Sequence, residues 1–146
     1  MMFSNDRNEL RRVFFDSWKL KTEGKPLDAM QQRIADVIAQ HPEYHALLRD
    51  ENNLDRDYDP AAGDTNPFLH MSMHIALAEQ LGTDRPVGIR AFHVQLSQLS
   101  GSAHEAEHRI MQCLSEVLWQ AQRHNRMPDE KAYLDCIRKL LNKSSV

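Results

Sequence analysis

The sequence predicts an all-α protein, an irregular bundle of about five main helices with one short additional helix. Apolar residues recur at intervals of three and four along most of the chain, and no run alternates apolar and polar residues over a strand's length. The breaks between these periodic segments are short and contain proline, glycine or a capping residue, which is typical of helices joined by turns. A chain of 146 residues is one domain's worth, so we expect residues 1–146 to form a single helical domain.

The first third of the chain predicts two helices and a short third piece. Ser4 or Asn5 is a suitable N-cap for the first helix, which ends near the segment TEGKP. Pro26 is expected to open the second helix, which stops before Pro42 because proline restricts the residue that precedes it. The segment HPEYHALL then predicts a short helical piece.

An acidic loop is predicted over residues 49–65, where turn-forming residues replace the helical period. Its aspartates Asp55, Asp57 and Asp59 have the spacing of a calcium loop. Pro60 stands where that loop needs a glycine, and Asn66 where it needs a bidentate glutamate. We therefore expect no calcium here.

The next two helices are separated by one glycine-containing turn. Asn66 as N-cap and Pro67 at the first helical position predict a helix that runs to about Leu81. Thr83 or Asp84 is the expected cap of the following helix, over residues 86–99.

Two more helices complete the chain. Ser102 and Glu105 have the spacing of a capping box, which predicts the start of a long helix that reaches about Asn125. The last helix is expected to begin at Pro128.

Charge and composition exclude several classes of partner. The 18 basic and 21 acidic residues give a net charge of −3, and no basic cluster favours nucleic acid or an anionic membrane. Charged residues interrupt the first twenty positions, so we expect neither a secretory signal nor a membrane span there, and a cytoplasmic location follows. Cys113 and Cys136 are far from any C-x-x-C spacing, and in a reducing compartment we expect them to be small buried apolar side chains.

Histidine pairs are the most informative pattern in the chain. Eight histidines placed at random would give about 0.4 pairs at the same-face spacing of four residues. The chain has three such pairs. His70 and His74 share a stripe with Leu77 and Leu81, so both rings are expected to point inward. The second pair, His104 and His108, lies on the flank of its helix's apolar face, and the third is His41 with His45.

The two inward pairs are expected to lie at one level of the bundle. Each occupies the first two turns of its helix, and one antiparallel helix of similar length separates the two. His93 lies about 10 Å along that intervening helix, which brings it near the same height. The sequence therefore predicts that five imidazoles converge, those of His70, His74, His104, His108 and, with less support from the pattern, His93.

Converging imidazoles point to a transition metal. Neutral imidazole is a common metal ligand, and three or four such ligands favour zinc or iron over magnesium or calcium. Glu105 and Glu107 flank the second pair, and Glu107 is a further candidate ligand. An ion with an open position would supply a Lewis acid or a bound hydroxide, so the predicted activity is metal-assisted hydrolysis or transfer on a small molecule.

A second interpretation stays open beside the metal site. The histidines would then form a buried network that fixes helix register in a non-enzymatic helical interaction protein, whose partner is another protein. His41 and His45 are expected to cap helix ends, and His124 to interact with a helix dipole.

No other catalytic constellation is present in the sequence. There is no phosphate-binding glycine loop and no G-x-S-x-G elbow. Cys113 lies nearly opposite His104 on the same helix, which excludes a cysteine–histidine pair there. No catalytic residue is therefore assigned.

Several long segments resemble a known family. These are NPFLHMSMHIALAEQLGTDRPVGIR, AHEAEHRIMQCLSEVLWQAQ and PDEKAYLDCI, with the earlier HPEYH, and they cover most of the chain from about Leu10 to Leu141. The chain resembles the DUF1841-like proteobacterial proteins, a domain of unknown function, which implies a bacterial cytoplasmic protein and assigns no catalytic residue. The H-x-x-x-H pairs are also similar to those of DinB-like thiol-transfer bundles, in which one pair joins a third histidine from another helix to bind a metal.

Overall fold

The structure is a computed structural model that describes residues 7–144. In that range every regular element is a helix, which confirms the all-α fold class. Six helices of the described chain have eleven residues or more and one has four. Each corresponds to a segment predicted to be helical, and the predicted number of about five main helices was one too few. None of the helices between residues 7 and 144 is both long and apolar enough to cross a membrane.

The chain divides into two compact units. Unit 1 ends at Ile75 and unit 2 begins at Ala76, so the boundary falls inside one helix. The expectation of a single domain over residues 1–146 stays a prediction.

Unit 1 contains three helices and the first half of a fourth. Helix α1 covers Arg7–Thr22, α2 covers Ala29–Ala39 and α3 covers His45–Leu48, which follows a 3₁₀ turn at Pro42–Tyr44. Helix α4 covers Pro67–Thr83 and enters unit 2 at its middle. The expected caps Ser4 and Asn5 lie outside the described residues.

Helix α2 begins three residues later than the sequence predicted. Asp28, not Pro26, ends the preceding turn, and its carboxylate accepts a hydrogen bond from the backbone N–H of Gln31 at 2.8 Å. The Gln31 side chain in turn accepts from the backbone N–H of Asp28 at 3.0 Å. This reciprocal capping box satisfies two N–H groups at the helix start, which the proline at position 26 does not do.

Two arginines of α1 hold the acidic loop against unit 1. The loop contains two 3₁₀ turns, Glu51–Asn53 and Pro60–Ala62. Arg11 is buried and donates to the backbone carbonyls of Leu54 and Arg56 at 3.1 and 2.7 Å. Arg7 donates to the carbonyl of Asp55 and forms an ion pair with Asp57. The loop is therefore fixed by defined hydrogen bonds at its centre.

The core of unit 1 is aromatic. Phe68, from the first turn of α4, packs its ring against those of Phe14 and Phe15 at centroid distances of 5.8 and 6.0 Å. Asn66 fixes the start of α4, since its side chain accepts from the backbone N–H groups of Phe68 and Leu69, as the sequence predicted. The other buried members of this core are Ile34, Val37, Ile38, Leu48 and Met71.

Unit 2 contains the rest of α4 and three further helices. Helix α5 covers Ile89–Ser100, α6 covers Ala103–Arg123 and α7 covers Glu130–Ser144. Helix α5 begins three residues after the predicted Pro86, because the Asp84 carboxylate accepts from the backbone N–H groups of Gly88 and Arg90. Ser102 caps α6, as predicted, by accepting from the backbone N–H of Glu105, but the Glu105 side chain accepts from Arg109 and does not complete the predicted capping box.

Helix α7 also begins later than Pro128. The Asp129 carboxylate accepts from the backbone N–H of Ala132 at 3.1 Å, and this cap sets the first helical residue at Glu130. The three helices of unit 2 pack around a core of Ile89, Leu96, Ile110, Leu114, Val117 and Ile137.

The two cysteines are bonded to each other, which corrects the expectation of free apolar side chains. Cys113 on α6 and Cys136 on α7 form a disulfide, with their Cα atoms 5.8 Å apart. The 23 positions between the cysteines match no short motif, and the packing of α6 against α7 brings the two residues together.

Candidate metal centre

Three histidines of unit 1 meet in one cluster, which we call the histidine triad: His41, His70 and His74. Each offers one ring nitrogen, and these three nitrogens all lie within 4.8 Å of one another. Among residues 7–144 this is the one group of three or more histidine, cysteine or acidic side chains that is close enough to hold a metal ion. His41 and His74 are buried and His70 is half-buried.

His41 enters the triad from the end of α2. Its Nδ1 lies 2.7 Å from the carbonyl oxygen of Val37, in the last turn of that helix. Since a carbonyl can only accept, Nδ1 carries the proton and the lone pair of this ring is on Nε2. A backbone carbonyl that holds one ring nitrogen of a histidine is the usual arrangement beside a metal, because it orients the other nitrogen toward the ion.

His70 and His74 enter from the first two turns of α4. One helical turn brings their rings to a centroid distance of 4.9 Å, and the two Nε2 atoms are 3.3 Å apart. The His41 ring lies across from both, at centroid distances of 5.2 Å to His70 and 4.7 Å to His74. The pair that the sequence predicted to point inward is thus brought together with a third ring from another helix end.

The spacing of this pair matches the coordination geometry of a small ion. A tetrahedral ion that holds two imidazole nitrogens at about 2.05 Å separates them by about 3.3 Å. The His70–His74 nitrogens have this separation. The same separation is within hydrogen-bond distance for a ring N–H donor and a ring nitrogen acceptor, so it is compatible with both arrangements.

Tyr44 forms one wall of the triad. Its ring is nearly parallel to that of His41, with an interplanar angle of 8° and a centroid distance of 5.7 Å, and it meets His70 edge-on at 6.2 Å. Burial raises the pKa of the Tyr44 phenol, and the neighbouring Glu43 carboxylate raises it further. The phenol is therefore neutral at physiological pH, and it adds no charge beside the three imidazoles.

His45 lies next to the triad but faces away from it. Its Nε2 donates to the carbonyl of Ile38 at 2.8 Å, and its ring lies 4.5 Å from that of Trp18. His45 donates its hydrogen bond through Nε2, whereas His41 donates through Nδ1 and leaves its Nε2 available. Both rings are bonded to carbonyls at the end of α2, as expected for capping residues, but His41 is also placed for ligation.

The second predicted pair lies in unit 2. His104 is exposed and His108 half-buried on α6, with ring centroids 4.2 Å apart. His93 on α5 has its Nε2 3.7 Å from a carboxylate oxygen of Glu107 on α6. The structure therefore joins His70 with His74, His104 with His108, and His93 with Glu107, and the convergence of the first pair with the second stays a prediction.

His41 is the site residue that sequence reasoning placed elsewhere. Its position before Pro42 indicated a helix cap, and the structure has that cap. His45, four residues later, does not join the triad, because the 3₁₀ turn between the two histidines separates their rings. The sequence signal for His41 as a ligand is the His41-Pro42 pair. A histidine whose ring is held at a helix end through one nitrogen has the other nitrogen available for an ion.

Comparison with known proteins identifies a family. The family model described as Domain of unknown function (DUF1841) matches residues 6–139, a range that includes all three histidines of the triad. No curated protein and no solved structure matches the chain.

Proposed function

The chain belongs to the DUF1841 family, a domain of unknown function, and from this premise we propose that it is a transition-metal protein. The ion is held by His41, His70 and His74. The observation that carries the proposal is the meeting of three ring nitrogens within 4.8 Å, two of them at the separation of a tetrahedral pair.

Zinc and iron are the metals that this ligand set favours. The three ligands are imidazoles, and the ring beside them is the neutral phenol of Tyr44. Magnesium and calcium prefer carboxylate and carbonyl oxygens, and no carboxylate belongs to the triad. Neutral imidazoles also tolerate burial better than charged ligands do.

Three protein ligands leave one tetrahedral position for water or substrate. Sites of this type lower the pKa of the bound water and polarise carbonyl or phosphoryl oxygens. The proposed activity is hydrolysis or group transfer on a small molecule, in keeping with the similarity of the H-x-x-x-H pair to DinB-like bundles. That similarity concerns architecture, so the activity depends on the metal site being present.

His93, His104, His108 and Glu107 are the remaining proposed ligands. His93 and Glu107 already approach each other, and a carboxylate beside an imidazole is a common way to orient a ligand. Whether the ion needs any of these four side chains is decided by the same experiment that tests the triad.

The test is elemental analysis by mass spectrometry on protein purified without chelator and on protein loaded with zinc or iron. We expect near-stoichiometric metal in the wild type. The variants His41→Ala and His70→Ala should each lose at least nine-tenths of it. His45→Ala is the matched control, because it removes a neighbouring imidazole that also caps α2 but is not placed for ligation.

A His104→Ala/His108→Ala variant measures the contribution of the second pair. Loss of metal in this variant would show that the ion needs ligands beyond the triad, and retention would restrict the site to unit 1. A wild type that neither carries metal nor takes up zinc or iron would overturn the proposal.

A structural histidine network is the second candidate function. The 3.3 Å contact between His70 and His74 favours it if one ring donates to the other, and the triad then only fixes α4 against the end of α2. In that case His41→Ala would lower the stability of the protein while metal content stays at zero in every variant.

A further inference from the structure

A groove in unit 1, separate from the histidine triad, has the lining of a small-molecule site. Phe15, Trp18, Lys19 and Thr22 form one wall, and their spacing of three and four residues places them on a single face of α1. The groove has a volume of about 490 Å³, which is within the range of ligand pockets in proteins.

The opposite wall comes from the segment that ends α3. Leu48 is buried and contributes, with Phe15, an apolar floor. Arg49 and Glu51 follow it at the rim. The groove therefore has an apolar floor and a charged rim, with one cation on each wall: Lys19 on α1 and Arg49 beyond α3.

Three charged side chains lie at this rim: the cations Lys19 and Arg49 and the carboxylate of Glu51. Glu51 faces Arg12, with its carboxylate 3.9 Å from that guanidinium. Neither Lys19 nor Arg49 forms an ion pair with another residue between 7 and 144. The charge of Lys19 acts at longer range on the Glu23 carboxylate. Two cations without a direct ion pair above an apolar floor complement a ligand that has an anionic head and an apolar tail.

We infer that this groove binds a small carboxylate with an aliphatic tail, the tail lying on Phe15 and Leu48 and the carboxylate between Lys19 and Arg49. Arginine offers a planar pair of N–H donors that matches a carboxylate, and lysine adds a second positive charge. Trp18 lines the same groove, so its fluorescence reports on occupancy.

The test uses octanoate as the probe and Trp18 as the reporter. The chain has two tryptophans, and the Trp119→Phe background leaves Trp18 as the single emitter. Octanoate should change the Trp18 emission saturably and bind at least tenfold more tightly than neutral octanamide, which has the same tail.

The variant Lys19→Gln/Arg49→Gln should weaken octanoate binding at least tenfold and leave octanamide unchanged. Lys21→Gln/Lys139→Gln is the matched control, because it removes the same charge from residues that do not line the groove. Equal affinity for the two probes, equal losses in both double variants, or no saturable change with octanoate would each overturn the inference.

A second copy of this chain is the other occupant that the experiment detects. Trp18 emission that depends on protein concentration without any octanoate, and that loses this dependence in Lys19→Gln/Arg49→Gln, would identify the groove as a contact between copies. That outcome would overturn the assignment of a small carboxylate. The test does not depend on the metal proposal, since none of the groove residues belongs to the triad.

Discussion

At the scale of single residues, Arg11 shows how a buried cation is accommodated in unit 1. Its side chain is only 5% exposed, and the guanidinium lies 4.8 Å from the centre of the Phe68 ring. Burial lowers the pKa of Arg11, and the nearby Arg7 lowers it further. The two carbonyls that it binds and the aromatic face compensate part of the cost of removing the charge from water.

Replacing Arg11 with methionine should destabilise the protein by about 2 kcal/mol, because the carbonyls of Leu54 and Arg56 lose their donor. Arg12→Met is the control, since Arg12 is half-exposed and has one long ion pair to Glu51, worth at most about 0.5 kcal/mol. Urea unfolding followed by circular dichroism measures both. Equal losses in the two variants would contradict the structural role of Arg11.

Tyr133 predicts a dependence of stability on alkaline pH. It is buried in unit 2 and donates to the Gln80 side chain at 2.7 Å. Burial raises its pKa well above the ordinary 10.0, which exceeds the smaller opposite effect of the Gln80 hydrogen bond. A phenol with a raised folded pKa contributes stability that is complete below pH 10 and is lost as the pH rises toward the folded value.

Unfolding free energy should therefore fall above pH 10, and the decline should be shallower in Tyr133→Phe, which has no proton to lose. Urea unfolding at a series of alkaline pH values measures this difference. The chain has three tyrosines, so the second readout is the phenolate absorbance that the wild type gains on unfolding in excess of Tyr133→Phe. A parallel pH dependence in wild type and Tyr133→Phe would contradict the prediction.

At the scale of elements, three helices begin two or three residues after their predicted starts, and the three differences have one cause. Asn66 and Ser102 were identified as caps and act as caps. The starts of α2, α5 and α7 were assigned to prolines, whereas an aspartate one or two residues from each proline accepts the backbone N–H bonds. Of these aspartates only Asp84 was among the expected caps. A carboxylate that satisfies N–H groups defines a helix start more strongly than a proline, which only tolerates the position.

Only the pair of histidines on one helix, His70 and His74, was predictable from the sequence. The spacing of His70 and His74 on one helix follows from the helical period, and the structure brings them together. Their approach to His41 depends on how the end of α2 packs against α4, about thirty positions away in sequence, and periodicity contains no information on that packing. The same limit applies to Cys113 and Cys136, whose pairing depends on the contact of α6 with α7.

Because a disulfide joins α6 and α7, we expect the stability of the protein to depend on reductant. Closing a loop of this length restricts the unfolded chain, which is worth about 3 kcal/mol. Wild-type protein should lose about that amount of unfolding free energy when dithiothreitol is added, as measured by urea unfolding. The Cys113→Ala/Cys136→Ala variant should not respond to reductant, and a wild type that is equally unresponsive would contradict the prediction.

At the scale of the whole molecule, a metal in the triad should stabilise one part of the chain selectively. All three ligands belong to unit 1. A ligand that binds only the folded state at one hundred times its dissociation constant adds about 2.7 kcal/mol to stability. That stabilisation should slow amide hydrogen exchange where the ligands are anchored.

Hydrogen exchange with and without zinc, resolved by peptide, measures this selectivity. Residues 37–48 and 67–75 should become more protected, and α7 should not change. The His41→Ala variant should abolish the effect. Protection that appears first in α6 would instead indicate that His104 and His108 hold the ion, and would contradict an assignment to the triad.

The opposite orientation of His41 and His45 gives the molecule a built-in spectroscopic reference. One ring carries its hydrogen on Nδ1 and the other on Nε2, each fixed by a neighbouring backbone oxygen. In nitrogen NMR the two rings should therefore give mirror-image patterns, with the protonated and unprotonated resonances exchanged between the two positions. A bound ion would shift the resonance of the unprotonated nitrogen of His41 and leave that of His45 unchanged. A single spectrum would therefore compare a ligand with a neighbouring histidine that does not bind the ion.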